Sequence, residues 1–221
     1  MIEVGACFSP YDSESFGNHF NESYEAEAYR LYADPISENS SSNAFQCYLK
    51  EHFPTGIILK PAQHHELLLQ AVQLATKSIQ ILSPWMLYTV VDKTFRQSLQ
   101  ESLNRGVDIW IGFGYKPSKF TLEEIDKIVQ LDNFGSNLEN TREAIEGLFG
   151  MLKDQLAYVP PIHSKILLVD DQFLFIGSHN WLSNKGKRNR DEISCLLTKR
   201  ESVEYVRKQY LELVFRKNSR E

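Results

Sequence analysis

The sequence predicts an α/β fold, a mixed β-sheet flanked by helices, in a single domain with an appendage. Two features point there. From residue 57 onward, apolar residues at helical spacing alternate with short apolar runs of strand length, the pattern of helices packed on a sheet. Near the C-terminal end, two such runs face each other across Asp170-Asp171, which reads as a turn. A chain of 221 residues, 42% hydrophobic and 24% charged, is long enough for one full core and too short for two large domains.

Residues 1–56 read as an irregular acidic extension. Gly5, Pro10, Gly17, Pro35 and the SENSSSN stretch interrupt segments carrying Phe8, Tyr11, Phe16 and Phe20, with a short helix expected over Tyr24 to Tyr32. The domain then runs over 57–221. Ile57 to Leu59 is a short strand, and Pro61 opens a helix whose Leu67, Leu68, Ala71, Val72 and Ala75 share a face. Ile79 to Leu82 is a buried strand stopped by Ser83-Pro84. Phe95, Leu99 and Leu103 mark the next helix, Gly106 ends it, and Val107 to Phe113 is another strand. Residues 116–156 form an insertion with helices expected at 121–131 and about 141–154, joined by NFGSN. Strands follow at Ser164 to Val169, Phe173 to Ile176 and Ile193 to Leu197. A C-terminal helix from about Glu201 places Val203, Val206, Tyr210, Leu213 and Val214 on one core-facing side.

The most specific stretch is Ile162 to Asn180, IHSKILLVDDQFLFIGSHN. His163 and Lys165 are two apart, so on extended chain they project from one face. Histidine serves as nucleophile or general acid near neutral pH, and lysine sets a point charge beside it suited to a phosphate oxygen. Gly177 permits a turn where a side chain would clash, and the hydroxyl of Ser178 and amide of Asn180 reach the same anion. His179 alternates away from both neighbours and reads as structural. His64-His65 reads as a capping or surface feature rather than a ligand pair, and Trp181 as core.

His-x-Lys, four residues, Asp, six residues, Gly-Ser-x-Asn resembles the HKD motif of the phospholipase D superfamily, with every defining position filled. Ile79 to Pro84 and Arg105-Gly106-Val107 also resemble the family's half-domain, so the resemblance spans roughly 57–216. It implies a phospholipase D-like sheet with one HKD half per chain and a two-step phosphodiester transfer. One histidine attacks phosphorus to give a phosphohistidine, a second protonates the leaving oxygen, and water then cleaves the intermediate. Because the chain has one motif, the resemblance implies a homodimer that joins two copies of His163 in a composite site. By the same resemblance His163 is nucleophile or acid, Lys165 and Asn180 bind non-bridging oxygens, and Ser178 assists by hydrogen bonding. Glu192 orients the histidine, with Asp191 as its alternative, and Asp170 is structural. Neither metal nor cofactor is implied.

Net charge is −5, but residues 185–221 hold 11 basic and 6 acidic side chains, against 2 and 9 in residues 1–56. Lys185, Lys187, Arg188 and Arg190 follow the motif directly, where a polyanion would meet them, and favour nucleic acid, DNA above RNA. The Gly-Ser-His-Asn-Trp form resembles bacterial nucleases linked to restriction, repair or phage defence, which often accompany helicases. That implies a helicase or defence complex as partner. The leading expectation is therefore a metal-independent endonuclease. The alternatives are a phosphodiesterase of phosphatidyl lipids or cardiolipin, and an assembly subunit of a larger nucleic-acid-processing complex. Cys7, Cys47 and Cys195 lack the number and spacing of a disulfide framework or zinc site. No secretory leader or membrane span is apparent, so a cytoplasmic protein without membrane attachment is expected.

Overall fold

Apolar runs bounded by turn residues become seven strands of one sheet in the computed structural model, which describes residues 43–114, 138–159, 162–186 and 191–216. The strands are β1 (Ile57–Ile58), β2 (Ser78–Ser83), β3 (Asp108–Phe113), β4 (Leu156–Tyr158), β5 (Ile166–Val169), β6 (Phe173–Gly177) and β7 (Ser194–Leu197), in the order β1-β7-β6-β5-β2-β3-β4. The sheet is mixed. β2, β3 and β4 run parallel, whereas β2 with β5, β5 with β6, β6 with β7 and β7 with β1 pair antiparallel.

The helices are α1 (Ala44–His52), α2 (Pro61–Leu74), α3 (Lys93–Asn104), α4 (Leu138–Leu152), α5 (Arg200–Val206) and α6 (Glu212–Arg216). Phe45 and Leu49 of α1, Leu67 and Leu68 of α2, Phe95 and Leu99 of α3, and Leu148 of α4 are fully buried in one core with Phe173 and Phe175 of β6. On the other side, Val203, Leu211 and Phe215 close over Ile166, Leu168 and Leu174. All four residues of β5 are consequently buried, which explains its continuous rather than alternating apolar run.

Two expectations shift. Residues 44–52, assigned by sequence to the extension, form α1, whose Phe45 edges onto Phe173 at 5.5 Å, so the packed chain begins before residue 57. Residues 1–42 and the 121–131 segment lie outside the described residues, while the second inserted helix is α4 followed by a 3₁₀ turn at Lys153–Gln155. In the C-terminal helix, a π turn at Arg207–Leu211 separates α5 from α6. Its extra residue rotates the turns downstream of it, so Leu211 and Phe215 face the core and Leu213 is 52% exposed, not inward as the uninterrupted period predicted.

Asp170 joins the two halves of the sheet. With Asp171 it has positive φ (56° and 55°), and Gln172 N–H donates to the Val169 carbonyl at 3.0 Å, closing a tight turn of two left-handed residues between β5 and β6. Its carboxylate accepts from the backbone N–H groups of Thr76, Lys77 and Ser78 at 3.0, 2.7 and 3.2 Å, from Thr76 Oγ1, and from Asn43 Nδ2. It thus ties the β5–β6 turn to the start of β2 and to the cap of α1. Asp170→Ala is expected to cost about 2–3 kcal/mol, since hydrogen bonds to a charged acceptor are lost together. Asp170→Gly, which relieves the backbone but restores no acceptor, should recover only the φ component. Urea midpoints at unchanged slope check both.

Candidate active site

Apart from Asp170, the motif's polar residues gather at one end of the sheet, where β2 and β3 finish, β5 begins, β6 ends and β7 starts. The β5–β6 register pairs Ile166 with Ile176, placing Lys165 and Gly177 just beyond it on neighbouring strands. His163 and Lys165 precede β5 rather than lying within it, yet they meet. Lys165 Nζ lies 3.4 Å from His163 Nε2 and donates to the His163 carbonyl at 2.8 Å. His163 is exposed and Lys165 half-buried. Burial pushes the Lys165 ammonium below its ordinary pKa, opposed by the charge of Glu192. Ser164, between them, meets the hydroxyl of Tyr210 on the π turn at 2.5 Å, which anchors the motif strand from the opposite face.

The second half of the motif is held by β7. A Cβ on Gly177 would lie 2.0 Å from the Ile193 carbonyl and 2.3 Å from Ser194 Oγ, so glycine is required by close strand approach and not, as the sequence suggested, by a turn. Because β7 comes this close, Ser178 N–H donates to the Ile193 carbonyl at 2.8 Å, and Ile193 N–H donates to Ser178 Oγ at 3.0 Å. The Ser178 hydroxyl in turn donates to Glu192 Oε2 at 2.6 Å, and Asn184 Nδ2 donates to Oε1 at 3.3 Å. Glu192 is 9% exposed with both oxygens engaged, whereas Asp191 is exposed. Asn180 is half-buried, and its Oδ1 has no hydrogen-bond partner among the described residues.

Lys185 is paired with Asp92, the residue that caps α3 by accepting from Phe95 N–H. Burial raises Asp92, but Lys185 and the cap amides outweigh it and hold the carboxyl below its usual range. Lys185 is therefore not the free cation that its place in the basic run implied. Lys187, Arg188 and Arg190 lie outside the described residues. Among the described residues, no three His, Cys, Asp or Glu side chains cluster as a metal site would require, and no helix is long and apolar enough to cross a membrane.

His64 corrects another expectation: it is fully buried, not a surface feature. Its Nδ1 donates to the Lys60 carbonyl and its Nε2 accepts from Ser194 Oγ, each at 3.0 Å. Its ring stacks on His179 at 4.3 Å and 19°. His179 is likewise buried and meets Trp181 edge-on at 5.3 Å. The sequence signal for His64 was available only in part, since Leu67, Leu68 and Ala71 fix an inward face but not what lies across the sheet.

Residues 68–214 match the family described as cardiolipin synthase, phospholipase D-like domain, which is more than half of the chain. The chain belongs to the phospholipase D superfamily. That is a superfamily of phosphodiesterases, and the expected fold class agrees with the observed mixed sheet. No curated protein matches. Among solved structures, NucT from Helicobacter pylori is 14% identical, with 72% of this chain and 95% of that chain covered at a TM-score of 0.48. The phospholipase D family member Nuc from Salmonella typhimurium is 15% identical (71% and 91% covered, TM-score 0.47). Phosphatidylserine synthase from Haemophilus influenzae is 15% identical (73% and 38% covered, TM-score 0.48).

Burial pushes His64 down to about 4, against the pull of the Lys60 carbonyl, and pushes His179 to about 3 with His64 and His65 adding to the effect. Unfolded imidazoles take a proton near pH 6.5, so between there and about pH 4 the unfolded chain binds more protons. Stability should therefore fall as pH is lowered through that window, by up to about 3 kcal/mol from His64 alone. Urea unfolding across this range should show the slope, and His64→Phe should reduce it, leaving the part that His179 contributes.

Proposed function

We propose that this protein is a metal-independent nuclease that cleaves a nucleic-acid phosphodiester, DNA in preference to RNA, through a covalent intermediate on His163. The observation that carries the reading is that His163 and Lys165, in contact with each other, lie at the same end of the sheet as the hydrogen-bonded Ser178 and Glu192. His163 attacks phosphorus, and Lys165 and Asn180 receive the non-bridging oxygens. The negative charge that develops there is balanced by the lysine, and Ser178, fixed by Glu192, supports the same face. The leaving oxygen needs a proton from a second imidazole, and water then releases the phosphate from His163. A second copy of the chain supplies that imidazole, so the working unit is a homodimer with both His163 residues converging. The exposure of His163 and Ser178 suits a polymeric substrate, and the excess of basic residues in 185–221 favours a polyanion. Defence, restriction or repair, with a helicase companion, is the setting that this reading proposes.

One observation favours lipid as a second reading. Leu59 and Ile193, each one residue past the paired Ile58 and Ser194, are 57% and 54% exposed at the site's end of the sheet. The sequence offered no sign of an apolar entry surface, and these two side chains amend that expectation.

Wild type and His163→Ala are compared on labelled single-stranded DNA, duplex DNA, RNA and anionic vesicles, all in EDTA. The proposal expects nucleic-acid cleavage by wild type and a loss of at least about a thousandfold in His163→Ala. Equal activity of the two proteins, or complete loss in EDTA rescued by magnesium, rejects it; cleavage confined to vesicles selects the lipid reading.

A further inference from the structure

His64 belongs to α2, far from the motif in sequence, yet it reaches the segment from Gly177 to Asn180 at two places, through Ser194 and through His179. At one end its Nε2 accepts from Ser194 Oγ, which with the Ile193 carbonyl crowds the space left by the absent side chain of Gly177. At the other end its ring lies flat on His179, whose chain neighbours are Ser178 and Asn180. Its own orientation is fixed by the Nδ1 hydrogen bond to Lys60, the residue that caps α2. The loop leaving the motif closes the same corner, for Gly186, at φ 79°, packs against Pro61 and Ala62.

We propose that His64 is a positioning residue of the active site, holding the Ser178–Asn180 segment from behind through the Ser194 hydroxyl and the His179 ring. It touches no substrate. Its effect is to fix where the Ser178 hydroxyl and Asn180 amide stand relative to His163, and a displacement of about 1 Å in such groups can cost about a hundredfold in rate. The inference rests on the phosphodiester chemistry proposed for that segment. The helix that carries His64 would then serve the reaction as well as the core.

A merely structural role makes a different forecast. If His64 only filled space beside apolar neighbours, Phe or Leu would serve as well as His, and Gln would be the worst replacement. As a positioning residue acting chiefly through the Ser194 hydroxyl, the order reverses, because the Gln side-chain oxygen can still accept from Ser194 whereas Phe keeps only the packing on His179. Wild type, His163→Ala, His64→Phe, His64→Leu and His64→Gln are assayed on bis(4-nitrophenyl) phosphate and on single-stranded DNA in EDTA. Rates are taken per folded molecule, with the folded fraction from circular dichroism. Expected is a kcat for His64→Phe lower by about 10- to 100-fold with KM within about twofold, and partial recovery in His64→Gln. Wild-type kcat in His64→Phe, or Phe outperforming Gln, overturns the inference while leaving the function intact. Where His64→Phe does not fold, His64→Gln exceeding His64→Leu supports it, and the opposite order overturns it. Wild-type hydrolysis that survives His163→Ala overturns the functional reading and this inference with it.

Discussion

A missing side chain at Gly177 governs the site. Because no Cβ stands there, β7 approaches β6 closely enough for the Ile193 backbone to pair on both sides with Ser178. That contact carries Glu192 to the Ser178 hydroxyl, and a carboxylate so buried persists only where its oxygens are hydrogen-bonded, as both are. Any larger residue at 177 would push away the strand that supplies these partners. One local steric fact therefore sets the geometry of the second half of the motif.

The first half depends on a different tie. His163 and Lys165 enter β5, a strand buried on both faces, so their backbone is fixed by core packing rather than by the site. At the other end of that strand, Asp170 binds three successive amides leading into β2. The motif's aspartate thus acts at the end of the hairpin away from His163, and its place in the pattern reflects the fold rather than the chemistry. Polar groups at one end of the sheet and a polar tie at the other leave the strands between them to apolar packing.

The alternation of strands and helices was legible because buried runs such as Ile79 to Leu82 and amphipathic ones such as Phe95, Leu99 and Leu103 differ in period. The motif residues were legible because their spacing is rigid. Three features were not. The helix over Ala44–His52 is only nine residues long and follows a Ser- and Asn-rich stretch, and its place in the core depends on Phe173 and Phe175, far away in sequence. The π turn inserts one residue into an otherwise regular period, which no pattern of apolar residues reveals in advance. The burial of His64 depends on Ser194 and His179, which only the folded sheet brings to α2.

Lys185 shows the complementary error. A run of basic residues reads as a surface for polyanions, but this lysine closes onto the cap of α3 through Asp92, a contact between residues 93 positions apart. The proposed reaction requires two imidazoles and the chain holds one motif histidine, so under that proposal one chain supplies half of the machinery. Size-exclusion chromatography with light scattering, with each fraction assayed for His163-dependent cleavage, tests this most directly. Activity confined to fractions with the mass of two chains is the predicted result, and full activity in fractions of single-chain mass would contradict it.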